Sequence, residues 1–447
     1  MKPALSHINR EILRLSIPAI VSNITVPLLG LCDTAISGHL GSELFLAAIA
    51  VGSVMLNVVF WIFGFLRMGT TGLTAIAYGA NDNDEVYRLF LRAFFLGVVS
   101  GVILIILRVP VAELLFKFIK AEDSIQSLVR EYFMIRIWGA PALLATMAIS
   151  GWFVGMQNTV MPLVISVGMN LFNILISFVL VFGYGSGFVG IAEGTMISNW
   201  LGLLIALVCF FLYNKWKIKK ALFKDIFVRE GLAKFFNVNS NLFIRSFCII
   251  IVTLGVTAAG ARMGAMVLAG NVILMQFFQF FSFFMDGFAF SGEALVGLYA
   301  GKRDLFMLNK SVKELLKWTV GMALAFCMIY LFCGDFITSM LTDSNDVRIF
   351  VGNNLLIIAL IPIVSAWAFI YDGFYVGLTQ TVFMMFSTII ASVFFFIILY
   401  VGFIDKNLFI NEDGGIQLIW SAFLVYLGIR GIFLALLWKR RILLFFK

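Results

Sequence analysis

The stretch from Ile389 to Ile404 contains no charged residue, and neither does Leu201 to Tyr213. Such runs recur along the chain, and they fix its solvent before anything else. A globular domain in water is about a quarter charged. Here 13% of 447 residues are charged and 62% are hydrophobic, too few charges to cover a water-facing surface. Lipid is therefore the solvent for much of the chain. In lipid, backbone polar groups must be bonded internally, which leaves helices or a closed barrel. Barrel strands alternate apolar and polar residues over about ten positions. Continuous apolar runs point instead to an all-α integral membrane fold.

A span needs about twenty residues. The pattern predicts about twelve, near 13–38, 46–78, 87–108, 127–155, 160–183, 188–213, 235–260, 266–299, 312–333, 350–377, 381–404 and 416–438. The net charge of +8 is distributed across the membrane rather than gathered for a nucleic acid. Twenty-one of the 32 Lys and Arg fall in one alternating set of connections, from Lys2, Arg10 and Arg14 to Lys439, Arg440, Arg441 and Lys447. Six fall in the opposite set: Lys117, Lys120, Arg130, Arg262, Arg348 and Lys406. By the positive-inside rule both termini are cytoplasmic and the span count is even. The first apolar run has no small-residue cleavage pattern, so a removable signal peptide is not expected. Cys32, Cys209, Cys248, Cys327 and Cys333 have no ligand spacing and read as small buried hydrophobes.

The chain repeats itself. Gly151 to Thr159 resembles Gly373 to Thr381, with Gly155 and Gly377 222 residues apart. Gly64-Phe65 and Gly69 match Gly287-Phe288 and Gly292 at a shift of 223, and Pro141 matches Pro362 at 221. Each half holds an even number of spans, so the two copies enter from the same side. Parallel repeats of this kind are a transporter architecture. The expected division is an N-lobe over 1–213, a basic cytoplasmic linker over 214–234 and a C-lobe over 235–447.

A charge inside a span costs at least about 2.5–3.5 kcal/mol on insertion scales, so each one needs a reason. Asp33 sits about 30 Å along the first span, towards its outer end. Pro18 and Pro27 precede it and can bend the helix. Asp33 reads either as an outer-rim carboxylate meeting water or as a cavity carboxylate that takes up and releases a proton or an ion. Asn170, Asn173 and Ser177 lie in the fifth span, and Thr195 lies near Glu193 in the sixth; such residues often only bridge helices. In the second half, Asp286 and Glu293 are two helical turns apart on one face. Asp372 is in the tenth span, and Arg245 in the seventh can neutralise one of the acids. The phenylalanines from Phe277 to Phe284 are dense enough for part of a soft apolar cavity.

The sequence also excludes. It has two histidines, His7 and His39, and no HExxH, Walker A or GxSxG pattern. No enzyme, metal or organic cofactor is implied, and no nucleotide-binding domain is present to use ATP. Active transport would run on an ion gradient or on a partner.

Several segments together resemble the multidrug and toxic compound extrusion (MATE) family, in its DinF-like branch. They are Asp33-Thr34-Ala35 with Gly38-His39-Leu40-Gly41; Gly64 to Gly72; Asp286 to Ala289 with Glu293 to Gly297; and Asp372 to Gly377. The resemblance spans about 15–440. It implies two pseudo-symmetric six-helix bundles around a cleft, exporting organic cations and amphiphiles by alternating access in exchange for H+ or Na+. It makes Asp33 the coupling carboxylate, assisted by Asn173 and Thr195. The family's second acid in this cluster is here Ser177, a departure that favours H+ over Na+. Asp286, Glu293 and Asp372 match acids of the DinF-like branch, as ion, substrate or fold-supporting groups. The expected partners are a small organic substrate and the lipid bilayer, in the inner (plasma) membrane, and a monomer is enough. Other readings are a lipid-linked precursor flippase, an organic-anion exporter using Arg67 and Arg245, an intramembrane enzyme and a passive channel.

Overall fold

The computed structural model describes residues 2–38, 42–118, 123–213, 229–404 and 412–446. His39, Leu40 and Gly41 lie outside the described residues, as do 214–228 of the basic connection. Among the described residues every regular element is helical. The chain forms two compact units of helices, residues 17–239 and residues 1–16 with 240–447.

In chain order the helices are α1 (Lys2–Gly38), α2 (Glu43–Ile62), α3 (Phe65–Gly79), α4 (Asn83–Ile106), α5 (Arg108–Phe118), α6 (Asp123–Arg136), α7 (Ala140–Gly155), α8 (Val160–Phe178) and α9 (Gly187–Tyr213). The second half holds α10 (Arg229–Met263), α11 (Ala265–Gly301), α12 (Leu305–Leu341), α13 (Asn345–Gly352), α14 (Leu355–Gly377), α15 (Thr381–Ile404) and α16 (Glu412–Phe446). Eleven stretches of described residues are long and apolar enough to cross a membrane. With α1, which is 37 residues or about 55 Å long, they make the expected set of about twelve.

Three expected spans are broken or shifted. The span 46–78 is two helices, interrupted at Phe63 and Gly64, whose N–H groups fold back onto Phe60 and Trp61 at 3.0 Å. The span 127–155 is interrupted by a 3-10 turn at Ile137–Gly139. Pro141 follows it, within the first turn of α7, where its missing N–H costs nothing. The span 350–377 starts at Leu355, after the separate short helix α13. The span 312–333 is the middle of a longer helix, α12, of 37 residues. Hydropathy marks the apolar part of a helix, and these helices extend beyond it. Pro18 and Pro27 both lie inside a continuous α1, each removing one rung of its hydrogen bonding.

The repeat is visible in atomic contacts. A Cβ on Gly151 would stand 2.3 Å from the carbonyl oxygen of Arg67, and one on Gly373 would stand 2.5 Å from that of Ala289. One turn on, a Cβ on Gly155 would meet the oxygen of Thr71 at 2.8 Å, and one on Gly377 that of Glu293 at 2.9 Å. All four residues of each pair of crossings are related by the same 222-residue shift. The G-x-x-x-G spacing thus lets α7 pass against α3, and α14 against α11, backbone to backbone. Thr71 Oγ1 adds a hydrogen bond to the oxygen of Gly151 at 3.1 Å.

The leading helix of each half divides at equivalent positions. Residues 2–16 of α1 pack in the unit of residues 240–447. There the Ser16 and Ser291 hydroxyls are 2.7 Å apart, and Trp318 Nε1 donates to Asn9 Oδ1 at 3.2 Å. Residues 229–239 of α10 belong to the other unit, where Asn239 occupies the space a side chain on Gly69 would need.

Gly373→Leu should destabilise the fold by about 1–3 kcal/mol or more through overpacking, seen as a lower midpoint of thermal unfolding in detergent. Gly321→Leu, with open space around its Cα, should leave that midpoint unchanged.

Candidate functional site

In the unit of residues 17–239, polar groups gather where α1, α8 and α9 meet. Thr25 in α1 faces α8: its hydroxyl lies 3.1 Å from that of Ser166, and its carbonyl accepts from Asn170 Nδ2 at 3.2 Å. Asp33 lies about two turns further along α1 from Thr25. Asn173 Nδ2 donates to Thr195 Oγ1 at 2.8 Å, and Thr195 Oγ1 donates to the oxygen of Ile191 at 3.0 Å. Gly194 lets α9 close on Ser177, since a Cβ there would stand 2.3 Å from Ser177 Oγ.

Asp33 is 6% exposed, and Asn173, Ser177 and Thr195 are buried. Asp33 Oδ1, Asn173 Oδ1 and Ser177 Oγ have no hydrogen-bond partner. Buried polar atoms in this condition are costly. Glu193, beside Thr195, is half-buried. The cation whose charge acts on Asp33 is Arg136, at the end of α6. Arg136 Nη1 donates to Tyr132 Oη at 2.8 Å, and its guanidinium stacks 5.3 Å from the Tyr132 ring centre. Composition places Arg136 near a span but gives it no role. Its signal is the Tyr132/Arg136 spacing of one helical turn.

The unit of residues 240–447 carries different chemistry. Asp372 Oδ2 in α14 accepts from two guanidinium groups, Arg245 Nη2 of α10 and Arg430 Nη2 of α16, the latter at 2.6 Å. Arg430 also donates to Tyr426 Oη at 3.4 Å and lies over its ring. All four residues are buried. The acid that Arg245 pairs with is therefore Asp372, and the second arginine, Arg430, is the part sequence reasoning missed. One carboxylate ties three helices together. Glu293 is buried and Asp286 half-buried on α11, two turns apart on one face as their spacing requires.

The aromatic run packs on itself and on α12. Phe277 and Phe281 are buried, and Phe281, Phe280 and Phe284 pack around Phe326 at 4.9–5.9 Å between ring centres. Tyr330 closes the cluster by donating to the oxygen of Phe277 at 2.8 Å. Edge-to-face rings fill this space.

Two related bundles of long apolar helices, each holding a buried carboxylate, define a multi-pass membrane protein. The MatE family model matches residues 18–179 and again 242–401, one match in each half. The chain belongs to the MATE family of multidrug efflux transporters. It is 31% identical over 437 residues to DNA damage-inducible protein F of Escherichia coli, covering 98% of this chain and 93% of that one. It is 24% identical to a probable multidrug resistance protein NorM of Photorhabdus laumondii, over 97% and 95% of the two chains. Among solved structures, the Vibrio cholerae MATE transporter VcmN matches with a TM-score of 0.86 over 100% of both chains at 16% identity. An outward-facing MATE transporter matches with a TM-score of 0.85 at 19% identity, over 98% and 97%.

Removing the carboxylate charge by Asp372→Asn leaves two buried guanidinium groups on a neutral partner. The expected loss is about 3–5 kcal/mol. Arg430→Met added to Asp372→Asn should recover part of it, measured as a double-mutant cycle of unfolding midpoints.

Proposed function

We propose that this transporter is a secondary antiporter that exports organic cations and amphiphiles in exchange for protons, with Asp33 as the coupling carboxylate. The observation that carries this reading is the set of buried, unpartnered oxygens at Asp33, Asn173 and Ser177. An isolated carboxylate next to amide and hydroxyl groups suits a proton, which needs one acceptor. A bare metal cation does better with several anionic oxygens around it. Ser177 supplies no charge, and the positive charge of Arg136 weakens the field of Asp33 further.

In the working cycle, ionised Asp33 favours a cationic substrate in the cavity. A proton arriving from outside neutralises Asp33 and removes that attraction. Its changed hydrogen bonding towards Asn173 and Thr195 lets α1 bend at Pro18 or Pro27, and substrate leaves. The proton must bind the two alternating-access states with different affinity, or nothing couples. The setting is the inner (plasma) membrane with both termini cytoplasmic, as a monomer with no organic cofactor and no enzymatic step. On this reading Asp286 and Glu293 serve substrate or fold, and Asp372 is held by its two arginines.

In proteoliposomes loaded with a fluorescent organic cation, a pH gradient should drive export by the wild-type protein. Asp33→Asn should reduce that export to the leak of empty vesicles. A Na+ gradient alone should drive none. Gradient-driven export that survives in Asp33→Asn would overturn the assignment.

A further inference from the structure

The 222-residue shift that superimposes the glycine crossings also carries the Asp33 site onto the other unit, where the residues have changed. Asp33 falls on Gly255, Asn170 on Ser392, Asn173 on Phe395 and Ser177 on Leu399. At that place α10 and α15 line an open groove of about 810 Å³, within the roughly 300–1,000 Å³ of pockets that take drug-sized ligands. Gly255, Ala258 and Ala259 of α10 make the room, against Ile389, Ser392 and Phe396 of α15. Arg262, the charged member of the lining, lies exposed in the last turn of α10. From Cys248 to Arg262 the lining runs about 21 Å along the helix.

The equivalent place has thus lost the carboxylate and the amide, has apolar walls, and carries one cation, Arg262, where the first copy has Leu40. Cationic ligands have no attraction there. An apolar chain leaves water or lipid for the groove, while an acidic head reaches Arg262 in a charge-assisted hydrogen bond. We infer that this groove binds a single-chain amphiphile with one acidic head group, its chain along α10 and α15 and its head on Arg262, as a substrate of the exporter. The inference rests on the exporter reading for the meaning of that binding. Binding itself needs no ion gradient, so an equilibrium measurement tests the groove whether or not Asp33 couples protons.

The test uses the full-length protein in phosphatidylcholine nanodiscs, photolabelled with a diazirine derivative of palmitic acid and with its methyl ester. Adducts are mapped by peptide mass spectrometry. Saturable labelling of the acid is expected within 248–262 and 389–400. Arg262→Gln should raise the half-saturating concentration of the acid at least tenfold and leave that of the ester unchanged. Ala258→Phe and Val393→Phe, on opposite walls at exposed positions, should each abolish the saturable labelling by both probes. Both variants must elute as monodisperse protein, and two independent fillings guard against a folding artefact in either. Labelling spread evenly over other helices, labelling that survives both fillings, or an Arg262→Gln effect equal for acid and ester would overturn the proposal. Loss of labelling when phosphatidylglycerol replaces phosphatidylcholine would assign the groove to bilayer lipid and overturn it equally.

Discussion

In each unit, two helices pass one another with no side chain between them. At Gly151 and Gly155 the backbone of α7 lies on α3, and at Gly373 and Gly377 that of α14 lies on α11. In lipid there is little hydrophobic force to pull helices together, so close packing and hydrogen bonds must do it. A glycine every fourth residue gives the closest approach available. The crossing in turn fixes the distance at which neighbouring helices can stand, and hence the spaces left for polar groups. The two points where α1 and α10 change units, after Ser16 and after Asn239, are related to within one residue by the same shift.

On this common frame the two copies have taken different chemistry. The first keeps an acid at Asp33, where the second has Gly255. The second holds Asp372 between Arg245 and Arg430, where the first has Ser150, Asn23 and Val208. A duplicated scaffold can carry a titratable group in one copy because the other does not need it. The division is physically reasonable: one buried carboxylate left with unpartnered neighbours is costly and responsive, whereas a carboxylate held by two guanidinium groups is a brace.

Much of this was legible in the sequence because lipid makes it so. Uninterrupted apolar runs fixed helices as the elements, and the glycine-rich segments fixed the repeat, since only glycine permits those crossings. Asp33 stood out because a charge in a span needs a reason. The breaks at Phe63–Gly64 and Ile137–Gly139 were not legible, because hydropathy averaged over a span does not register a short turn inside it. Arg430 and Arg136 were present in the count of charges but had no partner in sequence, because the groups they meet lie far along the chain. The packing of the phenylalanine run on Phe326 was not legible, because its partner lies in another helix.

The central claim is that substrate and proton compete through one carboxylate. The most direct measurement is the number of protons released when an organic cation binds the purified protein. It comes from calorimetric titrations in two buffers of different ionisation enthalpy, at a pH where the free protein is partly protonated. Competition through Asp33 requires a net release of protons on binding in the wild-type protein and none in Asp33→Asn. Binding without proton release, or the same release from both proteins, would contradict it.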